Sequence, residues 1–558
     1  MHRRSLLPAL TLAVLAAGGT LSSVPLAEAT QRKCLIVNLR AGQNYTTLQA
    51  AIDAASAGDT LKVKGTCYGD ATVGKNLTIV GHSNHGFGPA TLNGANSKLN
   101  RGTVVSISSN IAVAISGLTI TGGYGEQGGG IHDEGSLTIT DSTVAGNSAE
   151  RGGGIWSEGG SVALTNSTVA RNHGGLLVGG ILSIGGSVTL TDSTVSGNTG
   201  RLGPAGIEAD SVTLTGSTVS DNTGEVGYGG IFGFSVTLTD STVSGNTGRA
   251  GPGGVRGGSV TLTNSTVSDN TGSVGGGGIS AVEVTLNDSI VRDNKASGDG
   301  GGISSFEVTL NDSTVRGNKA SGAGGGISAV EVTLNGSTVS GNTASGRGGG
   351  VNGGFDGASV TLTDSTVRGN TASDRGGGVN GGSVSLISST VSGNTASNRG
   401  GGVNGGRVTL TNSTVSGNTG RVGGGGVSGG VDTLENSTVS DNTASGRGGG
   451  VEGILVRLTN STVRDNAASG DGGGIYNLDS LTLNGASAVS RNAASGNGGG
   501  IYNLRSLTLN GESSVTRNEA SGNGGGIYED KTGGATISHG PGWSGTVSRN
   551  EPDDIFEA

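Results

Sequence analysis

One asparagine sets the terms for this chain. It stands at Asn147, Asn172, Asn198, Asn222, Asn246, Asn270, Asn294, Asn318 and Asn342, and again from Asn370 and Asn394 through Asn492 and Asn518 to Asn550. Most steps are 24 residues, and the rest are 25, 26, 28 or 32. Three residues before each asparagine stands a valine, from Val144 and Val169 to Val515 and Val547. A run of glycines precedes a single Ile or Val in almost every period, as at Ile131, Ile155, Val255, Val351 and Ile475. A fixed period of this length is the signature of a solenoid, in which each repeat buries its apolar face only against its neighbours.

Helical repeats are excluded by the pattern inside each period. "SVTLTNSTVSGN" alternates at period two and is rich in Val and Thr. Each period divides into three short extended pieces, expected around "SVTLT", "STVS" and "GGGV", with Gly and Asn at the corners because both tolerate the left-handed backbone of a sharp bend. Three strands per coil, stacked in register, make an all-β parallel β-helix of about twenty coils, ~95 Å long at the ~4.8 Å inter-strand spacing. The recurring asparagine falls where the second strand turns, and stacked amides there can hydrogen-bond as a ladder. Four extra residues, Phe355 to Ala358, lengthen one period and are expected to bulge from a corner without shifting the register.

Composition matters at two points. Glycine and proline number 116 and 7 in 558 residues, a level that leaves disorder open until the period closes the question. The net charge of −9, with arginines scattered, argues against nucleic acid as a partner.

His2-Arg3-Arg4, an apolar run from Leu6 to Leu21 and Ala27-Glu28-Ala29 read as a secretory signal peptide over residues 1–29. No other apolar segment is long enough to span a membrane, so an exported or surface-held monomer is expected. Cys34 and Cys67 are the only thiols, and in an exported chain they are expected to form one disulfide. Residues 30–59 read as an N-terminal cap, 60–550 as the β-helix and 551–558 as a tail. Thr46 or Thr47 can N-cap a short helix with Leu48, Ala51, Ile52 and Ala55 on one face, ending near Gly58 and covering the open end of the core.

The segment "YTTLQAAIDAASAGDTLKVKGTCYGD…GKNLTIVG" (45–81) resembles the N-terminal opening of right-handed parallel β-helix proteins of the pectin-lyase-like fold. The repeats, GGG followed by Ile or Val and then V-x-x-N, resemble the GGA and F-x-x-N motifs of chlamydial polymorphic outer-membrane proteins. They are more similar still to exported β-helix repeat proteins of free-living bacteria. The likeness covers about 45–550 and implies the right-handed parallel β-helix, a fold that also hosts polysaccharide lyases and hydrolases.

Chemistry must be found in a site rather than in a fold. Glycoside hydrolysis needs carboxylates converging on one cleft. The N-T-D, D-D, G-H-G and R-I-K motifs of the fold's pectinases do not occur here in order, and "DD" stands only at Asp553-Asp554. Asp192, Asp240 and Asp364 exchange with Asn166, Asn264 and Asn412 at one repeat position, as corner residues do. With 3% aromatics, no sugar-stacking platform is evident. His82, His85 and His132-Asp133-Glu134 read as surface groups rather than a metal site. "GDGGGI" at 298–303 and 470–475 is too infrequent for a calcium repeat, and the N-S-T triplets at Asn166, Asn264, Asn412, Asn436 and Asn460 follow from the repeat itself. No cofactor is implied.

Threonine pairs flank the inward leucine of successive coils: Thr189 and Thr191, Thr213 and Thr215, Thr237 and Thr239, Thr261 and Thr263. Stacked, they form two outward files, a candidate binding face interrupted at Asn287, Asn311, Asn335, Ile387 and Glu435. Regular files of this kind resemble the ice-binding face of β-helical ice-binding proteins. The reading as a whole is a secreted or surface-displayed, non-catalytic, structural or adhesin-like rod with glycans or a neighbouring surface as partner. The alternatives are a polysaccharide lyase or hydrolase, and an ice- or crystal-binding protein acting through the threonine files.

Overall fold

The computed structural model describes residues 34–83, 87–94, 102–354 and 357–558. The expected signal peptide, His85, Phe355 and Asp356 lie outside them.

Three parallel sheets run along the molecule, and the middle one, built from the "TVS" pieces, counts 20 strands, one for each coil. Pairing is in register from coil to coil, with Ile207 against Ile231, Val212 against Val236 and Leu214 against Leu238 in one step, and it shifts by one residue between Gly453 and Leu455, where the next coil is a residue longer. Each regular coil sends four apolar side chains inward, such as Ile207, Val212, Leu214 and Val219, all fully buried. Each contributes about 1.5–3 kcal/mol of burial free energy. No coil could keep them dry alone, which is why the repeats must stack.

The arrangement of strands corrects one expectation. The "GGGV" and "SVTLT" pieces are two arms of one sheet, continuous in coils such as Ile207–Thr215 and Val379–Ile387. The third sheet begins with the four-residue strands Tyr124–Gln127 and Ser148–Arg151 and continues in two-residue strands just after the asparagine, such as Thr199–Gly200. Positive φ explains the division. Left-handed residues stand between "SVTLT" and "STVS" (Asp192 at 48°), directly before the asparagine (Gly197 at 60°) and at the first glycine of the triple run (Gly400 at 64°). The glycine pair between the two arms holds no such residue in a coil like Val379–Ile387, so the chain bends there without leaving the sheet.

Two polar ladders run inside the corners. From Asn147 to Asn518, each asparagine donates its backbone N–H and its Nδ2 to Oδ1 of the next, as Asn342 does to Asn370 at 2.9 and 3.0 Å. The other Nδ2 proton reaches a core carbonyl, that of Ile120 for Asn147 and of a valine in the later coils, Val315 in the case of Asn342. These amides are buried and fully bonded, which is what burial of a polar group demands. A second ladder, absent from the sequence reading, is formed by the first serine of "STVS": Ser217 N–H donates to Ser241 Oγ at 3.1 Å, and Ser217 Oγ–H to Thr215 O at 2.8 Å.

The ends follow the expected caps in part. Helix α1 (Leu48–Ala54) is N-capped by Thr47, whose Oγ1 accepts from Ala50 N–H, and it buries Leu48, Ala51 and Ile52. Cys34 and Cys67 are disulfide-bonded, joining the strand Leu35–Asn38, which pairs antiparallel with Thr60–Lys64, to the first coil. At the other end, residues expected as a tail extend the solenoid: Ile555–Glu557 pairs in parallel with Ile527–Glu529. The lengthened period leaves the ladders intact, because Leu334, Leu362 and Leu386 stay in one column across it.

Candidate functional site

Against this repetition one column changes its chemistry along the rod. It is the outward residue just after the Ile or Val that follows the glycines. In register it reads Trp156, Leu182, Glu208, Phe232 and Arg256 in early coils. Ser280, Ser304 and Ser328 follow in the middle, then Asn352, Asn380, Asn404, Ser428 and Glu452. Tyr476, Tyr502, Tyr528 and Phe556 complete it. The scaffold ladders beside it scarcely vary. A column free to vary on a constant frame is where recognition can be written.

Where this column passes from asparagine to glutamate it lines a groove of about 300 Å3. The floor is glycine, because successive coils approach closely at the bend between the arms: a Cβ on Gly430 would stand 2.7 Å from Gly406 O, and one on Gly406 2.9 Å from Gly382 O. Along one side Asn380 Nδ2 donates to Asn352 Oδ1 and Asn404 Nδ2 to Asn380 Oδ1, both at 2.9 Å. Along the other, Arg347, Arg375 and Arg399 occupy one position of successive coils. Asp374 accepts from Arg347 Nε at 2.8 Å. Burial works against its charge, but hydrogen bonds from Arg347 and Asn398 outweigh that and hold the carboxyl below its ordinary range. Arg375 Nε is enclosed and has no hydrogen-bond partner among the described residues.

The arginine file lapses at Gly423, and the Glu452 side chain, 2% exposed, fills the opening. A Cβ on Gly423 would lie 2.2 Å from Glu452 Oε2. Glu452 pairs with Arg447 at 2.8 Å and faces Arg399 at 3.7 Å, while its Oε2 has no hydrogen-bond partner among the described residues.

Behind the glycine floor lies Asp432, at a core position held by Val408 and Val456 in the adjacent coils. It is fully buried, neither oxygen has a hydrogen-bond partner among the described residues, and the space left by Gly429 accommodates it. Burial, and then the charge of Glu452, push its carboxyl well above the ordinary range. Its residue type was visible in "VDTLE", the repeat in which Asp replaces the first core valine, but its depth was not.

Aromatic rings also assemble in a way composition does not reveal. Tyr476, Tyr502, Tyr528 and Phe556 stack at 5.0, 4.9 and 5.7 Å, with the Arg447 guanidinium 4.6 Å from the first ring centroid. The signal lay in "GGGIYN" and "GGGIYE". Because the faces cover one another, the stack presents edges and hydroxyls rather than a flat platform for a sugar.

The predicted binding face is assembled as a geometric feature. Thr189, Thr213, Thr237 and Thr261 form one file, and Thr191, Thr215, Thr239 and Thr263 the other, on either side of buried Leu190, Leu214, Leu238 and Leu262. It lies on the second arm of the long sheet, apart from the groove. Asp192, Asp240, Asp364, Asn166, Asn264 and Asn412 are left-handed corners, with φ between 47° and 50°. Asp299 and Asp471 each accept a backbone N–H from the next coil, Ala323 and Asn497, at 2.7 Å. His132 approaches Glu134 at 3.8 Å, whereas Asp133 between them points inward to Ser157 Oγ. Among the described residues no three His, Cys, Asp or Glu side chains converge.

A family model described as "Right handed beta helix region" matches residues 101–255 and 180–344. No curated protein and no solved structure matches the chain. Register, coil count and family match together define the class: this is an all-β right-handed parallel β-helix repeat protein of about twenty coils. The finer likeness to the chlamydial proteins stands on the motifs alone. A disulfide, and the absence among the described residues of a helix long and apolar enough to cross a membrane, are compatible with an extracellular setting.

Proposed function

We propose that the protein is a non-catalytic, exported rod of structural or adhesin-like character, which contacts a glycan along the groove between Arg375 and Glu452. The observation that carries this reading is the variable column itself, placed beside the groove on the constant frame of the core and asparagine ladders. The lining suits hydroxyl-rich ligands: Asn380 and Asn404 amides and Arg375 and Arg399 guanidinium groups supply donors, and the amide oxygens and Glu452 supply acceptors. Among the described residues Glu452 is the single carboxylate lining the groove and is ion-paired, while Asp432 stands behind the floor, an arrangement that disfavours the paired carboxylates of hydrolysis.

A glycan array probed with the mature chain tests the proposal. Binding should weaken at least tenfold in Arg399→Ala and Asn404→Ala and stay unchanged in Thr213→Val with Thr237→Val. Loss in the threonine variants alone, with inhibition of ice recrystallisation by the parent, would move the function to the threonine face. Release of reducing or unsaturated ends from pectin or alginate, abolished by Glu452→Gln, would make the protein an enzyme.

A further inference from the structure

Three consecutive coils depart from the scaffold together. At the position where the flanking coils have Ser259 and Ser359, they carry Glu283, Glu307 and Glu331, stacked in register and exposed. Immediately before the glutamates stand Val282, Phe306 and Val330, which are 62%, 54% and 38% exposed. None of the three glutamates has an ion-pair partner among the described residues. Like charges directly opposite one another on a sheet destabilise it. An apolar stripe left in water beside them adds a second unfavourable term.

Two of the same three coils carry the complement on other faces, while the Glu331 coil has Ser340 and Thr343 at those positions. Lys295 and Lys319 stack in the short sheet, where the flanking coils have Thr271 and Thr343. Arg316 stands in the middle sheet beside Arg292. Arg292 is neutralised by Asp293 at 2.8 Å and Asp269 at 3.6 Å. Lys295, Lys319 and Arg316 are exposed and have no ion pair among the described residues.

Spacing selects the partner. Same-face residues along a single extended strand recur every ~6.6–6.8 Å, whereas stacked coils repeat a side chain every ~4.8 Å. A cationic file with the spacing of the glutamates is therefore supplied by another stacked solenoid, and this chain presents one, two coils long, in the coils of Glu283 and Glu307. We infer that the Val282, Phe306 and Val330 stripe with its glutamate file docks a second copy of this chain, through the Lys295, Lys319 and Arg316 surface of that copy. Two rods side by side, without axial offset, bring the files together. The contact joins unlike faces, so it is heterologous and does not limit association to a dimer. It replaces the monomer expected from the sequence with a weak, salt-sensitive association, because a patch three coils long falls at the small end of specific interfaces. The inference is independent of the groove.

Sedimentation velocity of the disulfide-bonded chain at high concentration tests it. Concentration-dependent association is expected at about 20 mM salt and its loss at about 0.5 M, where screening shortens the reach of exposed charges to a few ångströms. Glu283→Lys with Glu307→Lys and Glu331→Lys should abolish association, as should Lys295→Glu with Lys319→Glu and Arg316→Glu. An equimolar mixture of the two variants should associate again. Phe306→Ser, a single exposed change, should weaken association without altering melting. A monomer at every salt concentration, or association that survives both charge reversals, would overturn the inference.

Discussion

Asp554 stands in for the next asparagine at the end of the ladder: Asn550 N–H and Asn550 Nδ2 both donate to Asp554 Oδ1 at 3.0 Å. Within the rod that oxygen belongs to the asparagine of the following coil, as Asn518 finds in Asn550. A buried ladder needs a terminal acceptor, and the chain supplies it four residues later. Asp554→Ala should leave two donors unmet, cost about 1–3 kcal/mol and raise hydrogen exchange in the last coil. Asp554→Asn, which keeps the oxygen, should stay close to the parent. Equal loss in the two variants would show that the ladder ends elsewhere.

Val367 is fully buried between Val339 and Val391 of the adjoining coils. Val367→Asp should destabilise by more than about 3 kcal/mol, because it puts a carboxylate into a column of fully buried valines. Unchanged melting of this variant would contradict the inward position.

Asp432 is the natural counterpart, tolerated but unpaired. Its folded carboxyl titrates well above the unfolded value of about 3.9, so both states are protonated below that pH and its contribution is flat there. As pH rises above it, the unfolded chain releases its proton while the folded chain retains one. Stability falls until the raised folded value is passed, then levels. Urea unfolding at a series of pH values should show this fall in the parent relative to Asp432→Asn. Asp432→Val, which restores the core pattern, should gain about 1–3 kcal/mol at neutral pH. A parent and an Asn variant with parallel pH profiles would refute the assignment.

Deletion of residues 355–358 should cost no more than about 1 kcal/mol: loop length by itself costs little, and the one bond at stake is that from Ser383 N–H to the carbonyl of buried Ala358. The strands on either side, Val351–Asn352 and Ser359–Thr363, already pair in register with both neighbours. A large loss on differential scanning calorimetry would mean that the insertion supports the column rather than interrupting it.

The period alone determined the class of fold, the identity of the inward Ile, Val and Leu, the asparagine ladder and the continuity across the long period. Those features repeat, and a residue that repeats at a fixed interval must stack on its own copies. The N-capping threonine, helix α1 and the Cys34–Cys67 pair were legible from local composition. Only the tertiary structure decided where the coil bends, because the left-handed residue precedes Asn198 and its kin rather than being one of them. That placement decides which columns share a concave side. It is why Arg399, Gly423 and Glu452, in three different repeats, meet beside Asn404, and why Asp432 lies behind the floor instead of in the groove. It also drew Asp554 out of an apparent tail into the ladder. Such couplings join residues that occur once each, across coils, and a periodic pattern carries no record of them.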